Sequence, residues 1–428
     1  MSAAAGLDIA VVGGGLSGLA AAWLLARGEG GHRVTLYERQ PRPGFTAASV
    51  DWQGERVDVP LRVFYPGYYP TLTRLYALLG VPSEPVSYAA TFSGADGRPY
   101  FRYRNLRWRG WSLGVVAPQD WLRGPRARRI VSGLLSFHGR SLPALKRGEL
   151  AGLSLRDWAA ADDPDFVEGF LLPAVCTVCT CSTEAARRFP AEVIVDYLAR
   201  GLAKQAVRRA LHGADGVEAA LRAGIPALRC AAPVARVRAG ADGVGLTLAD
   251  GTEHRHDHAV LATQANQALA LLDGAADDER RVLGAFRYQP VEVVTHTDAA
   301  LMPPDRGDWS PVHLFVDPAR PAPESTIWVN AVQPALRGRP DLFQTVHPQR
   351  APRPGTVVGH ATFERPMVTA DTAAALAGLQ ALHAQPGRRV WFCGSYAQAG
   401  IPLLEGAVGS AAAVARRFGQ GLDAENSA

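Results

Sequence analysis

Residues 11–40, VVGGGLSGLAAAWLLARGEGGHRVTLYERQ, decide the fold. Gly13, Gly15 and Gly18 form the spacing G-x-G-x-x-G directly after an apolar run, and an Ala- and Leu-rich segment follows them. Glycines in this spacing allow a tight strand-to-helix turn, a close approach of pyrophosphate to the backbone, and close packing of helix on strand. The stretch therefore predicts the opening strand, turn and helix of a dinucleotide-binding βαβ unit.

An acidic residue completes this unit. Glu38 follows a second predicted strand, residues 33–37, and lies 20 residues beyond Gly18. A carboxylate at this distance binds the ribose hydroxyls of a dinucleotide and would repel the 2′-phosphate of NADP. The alternative is a glycine-rich turn with an incidental surface glutamate. The loop by itself does not separate NAD from FAD.

Length and composition indicate a globular protein. The chain has 428 residues, of which 47% are hydrophobic and 20% charged, so it can form two or more subdomains. No apolar run reaches the roughly 18 residues of a membrane span. The N-terminus lacks a basic region and a cleavage site, so we expect a cytoplasmic protein. Five irregularly spaced cysteines do not form a disulfide framework.

Positive charge is concentrated in one region. The net charge is +5, but residues 98–147 alone carry +11. Within them, residues 121–147 mix arginines with leucines and predict a basic helical segment with one apolar face. Three interpretations remain open: a solvated cap whose apolar face is core, peripheral docking on an anionic membrane, or contact with an acidic carrier or acyl carboxylate. No nucleic-acid-binding motif accompanies the charge, so we expect no nucleic-acid partner.

Two later segments supply further parts of the predicted domain. Residues 233–238 and 243–248 are predicted strands, the Asp250-Gly251 pair fits a turn, and residues 258–263 form another strand. Near the C-terminus, a strand over residues 390–393 precedes a glycine-containing loop. A helix is then predicted from about Glu405 to about Phe418.

An N-terminal βαβ unit, returning strands and a C-terminal strand, loop and helix are together unlike a simple NAD dehydrogenase. They resemble the two-dinucleotide-fold flavoproteins of the glutathione-reductase-like superfamily, particularly the flavin amine oxidase and phytoene desaturase branch. The resemblance implies FAD as cofactor, with the last helix directing its N-terminus at the pyrophosphate. We expect the FAD to be non-covalent, because Cys393 is not where cysteine-linked amine oxidases carry their attachment.

A narrower resemblance covers nearly the whole chain. The segments VDVPLRVFYPGYYPTLTRLYALLGV, DGTEHRHDHAVLATQANQALALL, YQPVEVVTHTDAALMP and IWVNAVQ are similar to a bacterial subgroup of predicted NAD/FAD-binding oxidoreductases. That subgroup is associated with cyclopropane and methyl-branched fatty acid enzymes. Two departures stand out. The usual paired glycines after the ribose acid are Gly44-Phe45 here, and the C-terminal loop carries Glu405 as its single carboxylate.

The predicted fold class is α/β, with a discontinuous glutathione-reductase-like FAD-binding Rossmann domain and an inserted substrate domain of mixed β-sheet plus helices. The FAD-binding domain comprises residues 1–85, 205–262 and 385–420, and the substrate-binding domain comprises residues 86–204 and 263–384. The predicted cofactor-binding residues are Gly13, Gly14, Gly15, Leu16, Ser17, Gly18, Glu38, Arg39, Gly44, Val234, Thr263, Gly394, Ser395, Glu405, Gly406 and Ala407.

Catalytic candidates come from two motifs. His296, in the stretch THTD, has a side chain suited to proton transfer near neutral pH, although a strand histidine also serves as a hydrogen-bonded structural residue. Tyr68 and Tyr69 belong to the aromatic loop FYPGYYP. Their rings either face an apolar substrate or the flavin, or anchor the loop by packing.

The cysteine-rich stretch CTVCTCS, residues 176–182, is interpreted mainly as small, apolar lining of a substrate pocket. Cys176 and Cys179, together with Tyr396, are the predicted lining residues. A structural zinc site needs about four nitrogen or sulfur ligands, and only three thiols cluster here without a nearby histidine. We therefore expect no metal, while a disulfide or redox pair remains the alternative.

Flavin chemistry requires few protein groups, because the cofactor itself accepts the hydride. The first hypothesis is dehydrogenation of an apolar, lipid-like substrate by hydride transfer to flavin N5. The alternatives are a redox-neutral double-bond isomerase, a flavin amine oxidase, and a non-catalytic FAD-binding protein. Lys146 and Lys204 are the only lysines, and neither lies where amine oxidases hold the lysine that contacts a water at N5. The sequence thus disfavours the amine oxidase.

Overall fold

The computed structural model describes residues 6–28, 30–108, 111–121, 124–202 and 205–422. Its strands are β1 Asp8–Val12, β2 Arg33–Tyr37, β3 Val50–Trp52, β4 Glu55–Val57, β5 Ser83–Pro85, β6 Ala90–Ser93, β7 Pro99–Trp108, β8 Trp111–Val115, β9 Arg208–Ala210, β10 Ala227–Arg229, β11 Val234–Gly240, β12 Gly243–Leu248, β13 Glu253–His256, β14 His258–Leu261, β15 Arg287–His296, β16 Val312–Phe315, β17 Glu324–Trp328, β18 Phe343–Val346, β19 Val357–Met367 and β20 Val390–Phe392. Its α-helices are α1 Leu16–Arg27, α2 Pro70–Leu78, α3 Pro118–Trp121, α4 Pro125–Arg147, α5 Leu155–Trp158, α6 Pro164–Phe166, α7 Leu172–Cys179, α8 Thr183–Arg188, α9 Ala191–Tyr197, α10 Gly213–Arg222, α11 Ala265–Leu271, α12 Asp277–Gly284, α13 Val329–Val332, α14 Thr372–His383 and α15 Leu404–Arg416.

A five-stranded parallel sheet forms the first layer, in the order β10-β2-β1-β14-β20. In the central strand, Val11 is in register with Leu36 on β2 and Val260 on β14. Both faces of the sheet are covered, which explains why its strands are continuous apolar runs rather than alternating ones. Helix α1 is buried along most of its length because it is built from Ala, Leu and Gly.

The opposite face of this sheet carries the antiparallel strands β11, β12 and β13 and the helices α11, α12 and α14. Val12, Leu379 and Phe392 belong to the same buried cluster. From the sequence, one turn and one strand are predicted over residues 249–263. Instead, β13 pairs antiparallel with β12, whereas β14 joins the parallel sheet. Helices that the sequence assigned to the substrate domain thus pack on the nucleotide-binding sheet.

The second sheet has eight strands in the order β19-β15-β18-β17-β16-β6-β7-β8. Its pairings are antiparallel except for the parallel pair β16 and β6. The predicted α/β fold class with an inserted mixed sheet and helices is therefore confirmed. Strand β19 is at one edge of this sheet, and its Gly359 lies against Val50 of β3.

The basic helix α4 packs its apolar face inward. Ala127 and Ile130 join the buried cluster beneath the large sheet. Much of the helix's charge is neutralised, because Arg126 and Arg129 pair with Asp165 and Arg140 pairs with Asp162. This arrangement favours the interpretation of residues 121–147 as a solvated cap, with residues 122 and 123 outside the described ranges. No helix in the described ranges is long and apolar enough to cross a membrane.

Candidate functional site

The glycine loop lies at the carboxyl ends of β1 and β14, where ligands bind in open α/β sheets. Gly13 has a φ of +105°, a conformation that favours glycine. A Cβ added to Gly18 would lie 1.8 Å from the carbonyl oxygen of Gly13, so only glycine permits this packing of helix on strand. A Cβ added to Gly15, by contrast, would meet no atom within 4 Å. The space above Gly15 is thus open to a ligand.

The acidic residue predicted to bind ribose is buried beside this loop. Glu38 Oε2 accepts a hydrogen bond of 2.7 Å from the Gly14 N–H, and Oε1 accepts one of 2.8 Å from the Gln40 N–H. These two bonds fix the carboxylate at the end of β2. A Cβ on Gly44 would lie 3.3 Å from Glu38 Oε2, which explains a small residue at position 44. Arg39 follows Glu38 directly and is exposed.

Two further predicted residues flank the same edge. Thr263 follows β14, and its Cγ2 atom would lie 3.2 Å from a Cβ on Gly13. The carbonyl oxygen of Glu38 accepts a hydrogen bond from the Ala232 N–H, which places the start of β11 at Val234 beside the ribose acid. Residues far apart in the sequence therefore meet at one edge of the parallel sheet.

The C-terminal helix α15 meets the first turn of α1. Ser17 Oγ donates a hydrogen bond of 2.9 Å to the carbonyl oxygen of Ala407, which belongs to the first turn of α15. A Cβ on Gly406 would lie 2.7 Å from the carbonyl oxygen of Ser395, so glycine allows α15 to approach the loop after β20. Ser410 Oγ accepts from the Gly394 N–H at 3.0 Å and fixes that loop.

Both helix N-termini lack a side-chain cap: α1 begins after Gly15 and α15 begins after Leu403, and neither of these residues forms a capping hydrogen bond. The first backbone N–H groups of a helix have no intrahelical partner, and the helix dipole favours negative charge there. Two such ends in contact, with an open space above Gly15, fit the diphosphate of a dinucleotide.

The side chain of Glu405 is engaged by a second helix. Its carboxylate accepts hydrogen bonds of 3.0 Å from the N–H groups of Thr71 and Leu72. These residues lie in the first turn of α2, so Glu405 caps α2 and neutralises the positive end of that helix. The carboxylate is turned away from the N-terminus of its own helix, because α2 supplies the two strong donors. The Glu405 side chain therefore holds the start of α2, which directly follows the aromatic loop.

Arg62 is not among the site residues predicted from the sequence, although a charged residue inside the apolar stretch VPLRVF indicates a special role. Its Nη2 atom donates a hydrogen bond of 2.5 Å to the carbonyl oxygen of Phe45, and its guanidinium lies 4.3 Å from the centre of the Phe45 ring. Burial lowers the pKa of Arg62, and the nearby Asp58 opposes that shift. Arg62 and Phe45 line a cavity of about 10 Å³ together with Leu404 of α15. Phe45 stands where related proteins carry the second of two glycines, and the structure accommodates its ring by stacking it against the guanidinium of Arg62.

The aromatic loop packs against the turn that leads into α15. Tyr68 Oη accepts a hydrogen bond of 2.8 Å from the Ile401 N–H, and its ring centre lies 4.8 Å from that of Tyr197. Burial raises the pKa of Tyr68 to about 12, and burial also raises the pKa of Tyr69. Both hydroxyls therefore stay protonated near neutral pH. The loop presents buried rings next to α15, and proton abstraction near neutral pH is not favoured at either tyrosine.

The three clustered cysteines lie beside these rings. Cys176 and Cys179 are buried on α7, and Cys181 follows after Thr180. The thiols of Cys176 and Cys179 donate hydrogen bonds to the sulfur of Cys181, which lowers the pKa of Cys181 to about 4. None of the five cysteines forms a disulfide bond. In the described ranges, no group of three or more His, Cys, Asp or Glu side chains is arranged to hold a metal ion.

His296 is sealed inside the large sheet. Its Nδ1 atom accepts from the Asp298 N–H at 3.2 Å, and its Nε2 atom lies 2.8 Å from Thr345 Oγ1. Since Nδ1 accepts, Nε2 carries the proton and donates it. Burial lowers the pKa of His296 to about 4. Both ring nitrogens are thus satisfied by structural partners, which favours the structural interpretation that the sequence left open.

Tyr396 is separated from the cysteines. It belongs to the cluster on the other face of the parallel sheet, where its ring centre lies 4.8 Å from that of Phe286. Cys176 and Cys179 belong instead to the cluster that contains α1 and the aromatic loop. The structure therefore does not bring the three predicted pocket residues together.

A cleft of about 220 Å³ lies elsewhere, between β11 and the turn before β20. Glu279 and Arg388, which form an ion pair of 2.9 Å, are among its lining residues. None of the residues of the glycine loop lines it. We therefore assign the site from the meeting of α1 and α15 and not from this cleft.

Comparison with known proteins agrees with this geometry. Residues 11–79 match the model of the NAD(P)-binding Rossmann-like domain. Over 73 residues the chain is 42% identical to carotenoid phi-ring synthase of Streptomyces griseus, a match that covers 17% of this chain and 13% of that protein. The chain thus spans only a small part of this curated relative.

Solved structures match over nearly the full length. The CLA-producing fatty acid isomerase from P. acnes is 17% identical, with a TM-score of 0.68 over 96% of this chain and 99% of the isomerase. Cyclohexylamine oxidase from Brevibacterium oxydans is 15% identical, with a TM-score of 0.62 over 97% of this chain and 100% of the oxidase. The chain therefore shares its fold with this fatty acid isomerase and this amine oxidase. The predicted resemblance is confirmed at the level of the fold.

Proposed function

We propose that the chain binds FAD non-covalently and acts as an oxidoreductase that dehydrogenates an apolar, lipid-like small molecule. The observation that carries this proposal is the contact between two uncapped helix N-termini at Ser17 and Ala407, with the carboxylate of Glu38 fixed beside them. Glu38 would hold the adenosine ribose, and the N–H groups at the starts of α1 and α15 would hold the diphosphate.

FAD fits this arrangement better than NAD does. A simple NAD site needs one βαβ unit, whereas here a second helix arrives from the far end of the chain. Arg62 and the Gly44-Phe45 turn lie next to that second helix. Bound FAD would supply the hydride acceptor at flavin N5. The buried thiol of Cys393, near Ser17, is enclosed by protein, which supports a non-covalent cofactor.

An apolar substrate is supported by the surroundings of the loop before α15. The buried rings of Tyr65, Tyr68 and Tyr197 lie beside it. Neither Tyr68 nor Tyr69 is suited to take a proton near neutral pH, and His296 is sealed in the sheet. These residues would orient the substrate while a hydride passes to the flavin, and the proton lost from the neighbouring carbon atom would leave to solvent rather than to one of these three side chains.

The second candidate is a redox-neutral double-bond isomerase. It is favoured by the match to the CLA-producing fatty acid isomerase, which covers both chains almost completely. Dehydrogenase and isomerase would use the same binding residues and differ in whether the hydride returns to the substrate. An amine oxidase is less favoured because Lys146 is exposed on α4. The other lysine, Lys204, lies outside the described residues.

The test begins with the absorption spectrum of the purified protein before and after acid precipitation. We expect a flavin spectrum that is released as free FAD. Anaerobic incubation with unsaturated and methyl-branched fatty acids should then bleach the flavin until an acceptor is added. Substrate turnover without bleaching or acceptor would favour the isomerase, and peroxide release with amines would favour the oxidase. A flavin that no substrate bleaches or converts would point to a non-catalytic FAD-binding protein.

A variant pair tests the binding site itself. Glu38→Gln exchanges one charged acceptor for a donor, and we expect the affinity for FAD to fall roughly tenfold or more. Glu253→Gln, at an exposed position on β13, is the control and should bind FAD like the unmodified protein. A colourless protein that FAD does not reconstitute would overturn the proposal.

The same observations bear on the binding partners of the protein. The partner is a hydrophobic small molecule, and no contact described above calls for nucleic acid. Docking of residues 121–147 on an acidic carrier or a membrane surface stays a prediction, and the side chain of Leu135, 69% exposed on α4, is the feature that supports it.

A further inference from the structure

Arg365, on the edge strand β19, has an unused guanidinium. In the described part of the chain it forms no hydrogen bond or ion pair, and its Nε atom is shielded from solvent without a partner. Other inward arginines differ: Arg102 pairs with Asp120 at 3.1 Å, and Arg209 pairs with Glu84 at 3.1 Å. A shielded cation that forms no hydrogen bond or ion pair is costly, so the guanidinium of Arg365 is available to bind an anion from outside the fold.

The position of Arg365 is fixed by the sheet. It lies opposite Gln289 on β15, and Gln289 Nε2 donates a hydrogen bond of 2.5 Å to the carbonyl oxygen of Thr180. His347 Nε2 lies 3.2 Å from the same oxygen. The cysteine loop is thus attached to the sheet beside Arg365.

The same face of β19 reaches the segment that flanks the glycine loop. Phe363 and Ala361, two and four residues before Arg365, pack in one cluster with Val59. Val59 immediately follows Asp58, which lines the small cavity with Arg62 and Leu404. Arg365 therefore stands between the proposed flavin-binding segments and the cysteine loop.

The groups that raise the pKa of Arg365 electrostatically are Cys179, Tyr69 and Cys181. Hydrogen bonding to Cys181 raises the pKa of Cys179 and burial raises that of Tyr69, so both are neutral near pH 7. The sulfur of Cys181 is the single internal candidate for a counterion within this set. It already accepts hydrogen bonds from two thiols and forms none with Arg365.

We propose that Arg365 binds the carboxylate of the substrate, so that the substrate is an apolar carboxylic acid. This inference rests on the proposed function and names the substrate class of the same site. A guanidinium presents five N–H donors in a planar fork, which matches a carboxylate in a bidentate pair. The apolar chain of the acid would pack on the neighbouring rings of Tyr69 and Phe363.

The experiment uses the purified full-length protein and two probes of equal chain length, decanoate and decanol. Calorimetric titration gives the dissociation constant of each probe for the unmodified protein, Arg365→Gln, Arg365→Lys and the surface control Arg337→Gln. We expect the unmodified protein and Arg337→Gln to prefer decanoate by about tenfold or more. Arg365→Gln should lose that preference without a change in decanol affinity, and Arg365→Lys should keep part of it.

Several outcomes would overturn the inference. One is an undiminished preference for decanoate in Arg365→Gln. Another is the absence of decanoate binding to the unmodified protein. A third is a shift of thiolate absorbance to higher pH in Arg365→Gln with unchanged decanoate affinity, which would make Arg365 the counterion of Cys181. If Arg365→Gln does not fold, Arg365→Lys provides the test, because lysine keeps the charge but lacks the planar pair of donors. A preference for decanoate as large as that of the unmodified protein would then count against the proposal.

The flavin content of the same samples separates this inference from the proposed function. Loss of decanoate preference in a variant that still binds FAD supports the carboxylate site alone. FAD binding without any effect of Arg365 would leave the oxidoreductase proposal standing and reject the carboxylate site. A protein without FAD would reject the oxidoreductase, whereas the two dissociation constants would still report whether Arg365 binds a carboxylate.

Discussion

The hydroxyl of Ser17 donates a hydrogen bond of 2.9 Å to the carbonyl oxygen of Ala407, a residue 390 positions later in the chain. This bond joins the first turns of α1 and α15, the two helices whose N-termini form the proposed diphosphate site. The Ala407 carbonyl also accepts from Ser410 Oγ at 3.2 Å, so it keeps a partner when Ser17 is changed.

Ser17→Ala should reduce the unfolding free energy by about 1 kcal/mol and weaken FAD binding roughly fivefold, because α15 is no longer held against α1. Denaturant unfolding and FAD titration measure the two effects. Ser182→Ala is the matched control: it removes the cap of α8, a bond of 3.1 Å to the Ala185 N–H, at a cost of about 1 kcal/mol. An equal loss of FAD affinity in both variants would show that stability alone is responsible.

Gly15→Ala and Gly18→Ala should separate binding from folding. A Cβ at position 15 meets nothing within 4 Å and φ is −71°, so the free protein should keep its stability within about 0.5 kcal/mol. FAD affinity should fall at least about tenfold, because the methyl group occupies the space of the ligand. Gly18→Ala should lose several kcal/mol, since its Cβ would lie 1.8 Å from the Gly13 oxygen. Unchanged FAD affinity in Gly15→Ala would contradict the assigned site.

Glu405→Gln should act on the fold more than on the cofactor. The amide replaces one carboxylate oxygen with a donor that faces a donor, so about 2 kcal/mol of unfolding free energy should be lost. FAD affinity should change less than in Glu38→Gln. Thermal and denaturant unfolding check the first statement, and FAD titration checks the second. A stable Glu405→Gln variant that no longer binds FAD would support the prediction from the sequence that Glu405 binds the cofactor.

His296 should make the protein sensitive to acid. Its pKa is lowered to about 4 in the folded state from 6.5, so the neutral form stabilises the fold above pH 6.5. That stability is lost as the pH falls from 6.5 towards about 4, by about 2 kcal/mol between about pH 7 and about pH 5. His296→Gln should reduce the pH dependence of the unfolding free energy by that amount. The exposed His360→Gln is the control, and an unchanged slope in His296→Gln would refute the linkage.

Local sequence signals are sufficient to predict the nucleotide-binding end of the molecule. The glycine spacing, Glu38 and the apolar runs of β1 and β14 are local signals, because a tight turn and a parallel strand buried on both faces each demand particular residues within a few positions. The limits of α15, Leu404–Arg416, also lie close to the predicted helix. Close approach at Gly18 and Gly406 needs small residues, and that requirement is visible without coordinates.

Which side chains share a site depends on long-range packing and is seen only in the tertiary structure. Cys179 and Arg365 lie 186 positions apart in the sequence, and their proximity depends on the pairing of β15 with β19 and the docking of Thr180 on Gln289. The direction of a side chain depends on packing that sequence spacing does not encode. For that reason Tyr396 lies beneath the sheet, Glu405 caps α2, and His296 is enclosed by Thr345 and Asp298.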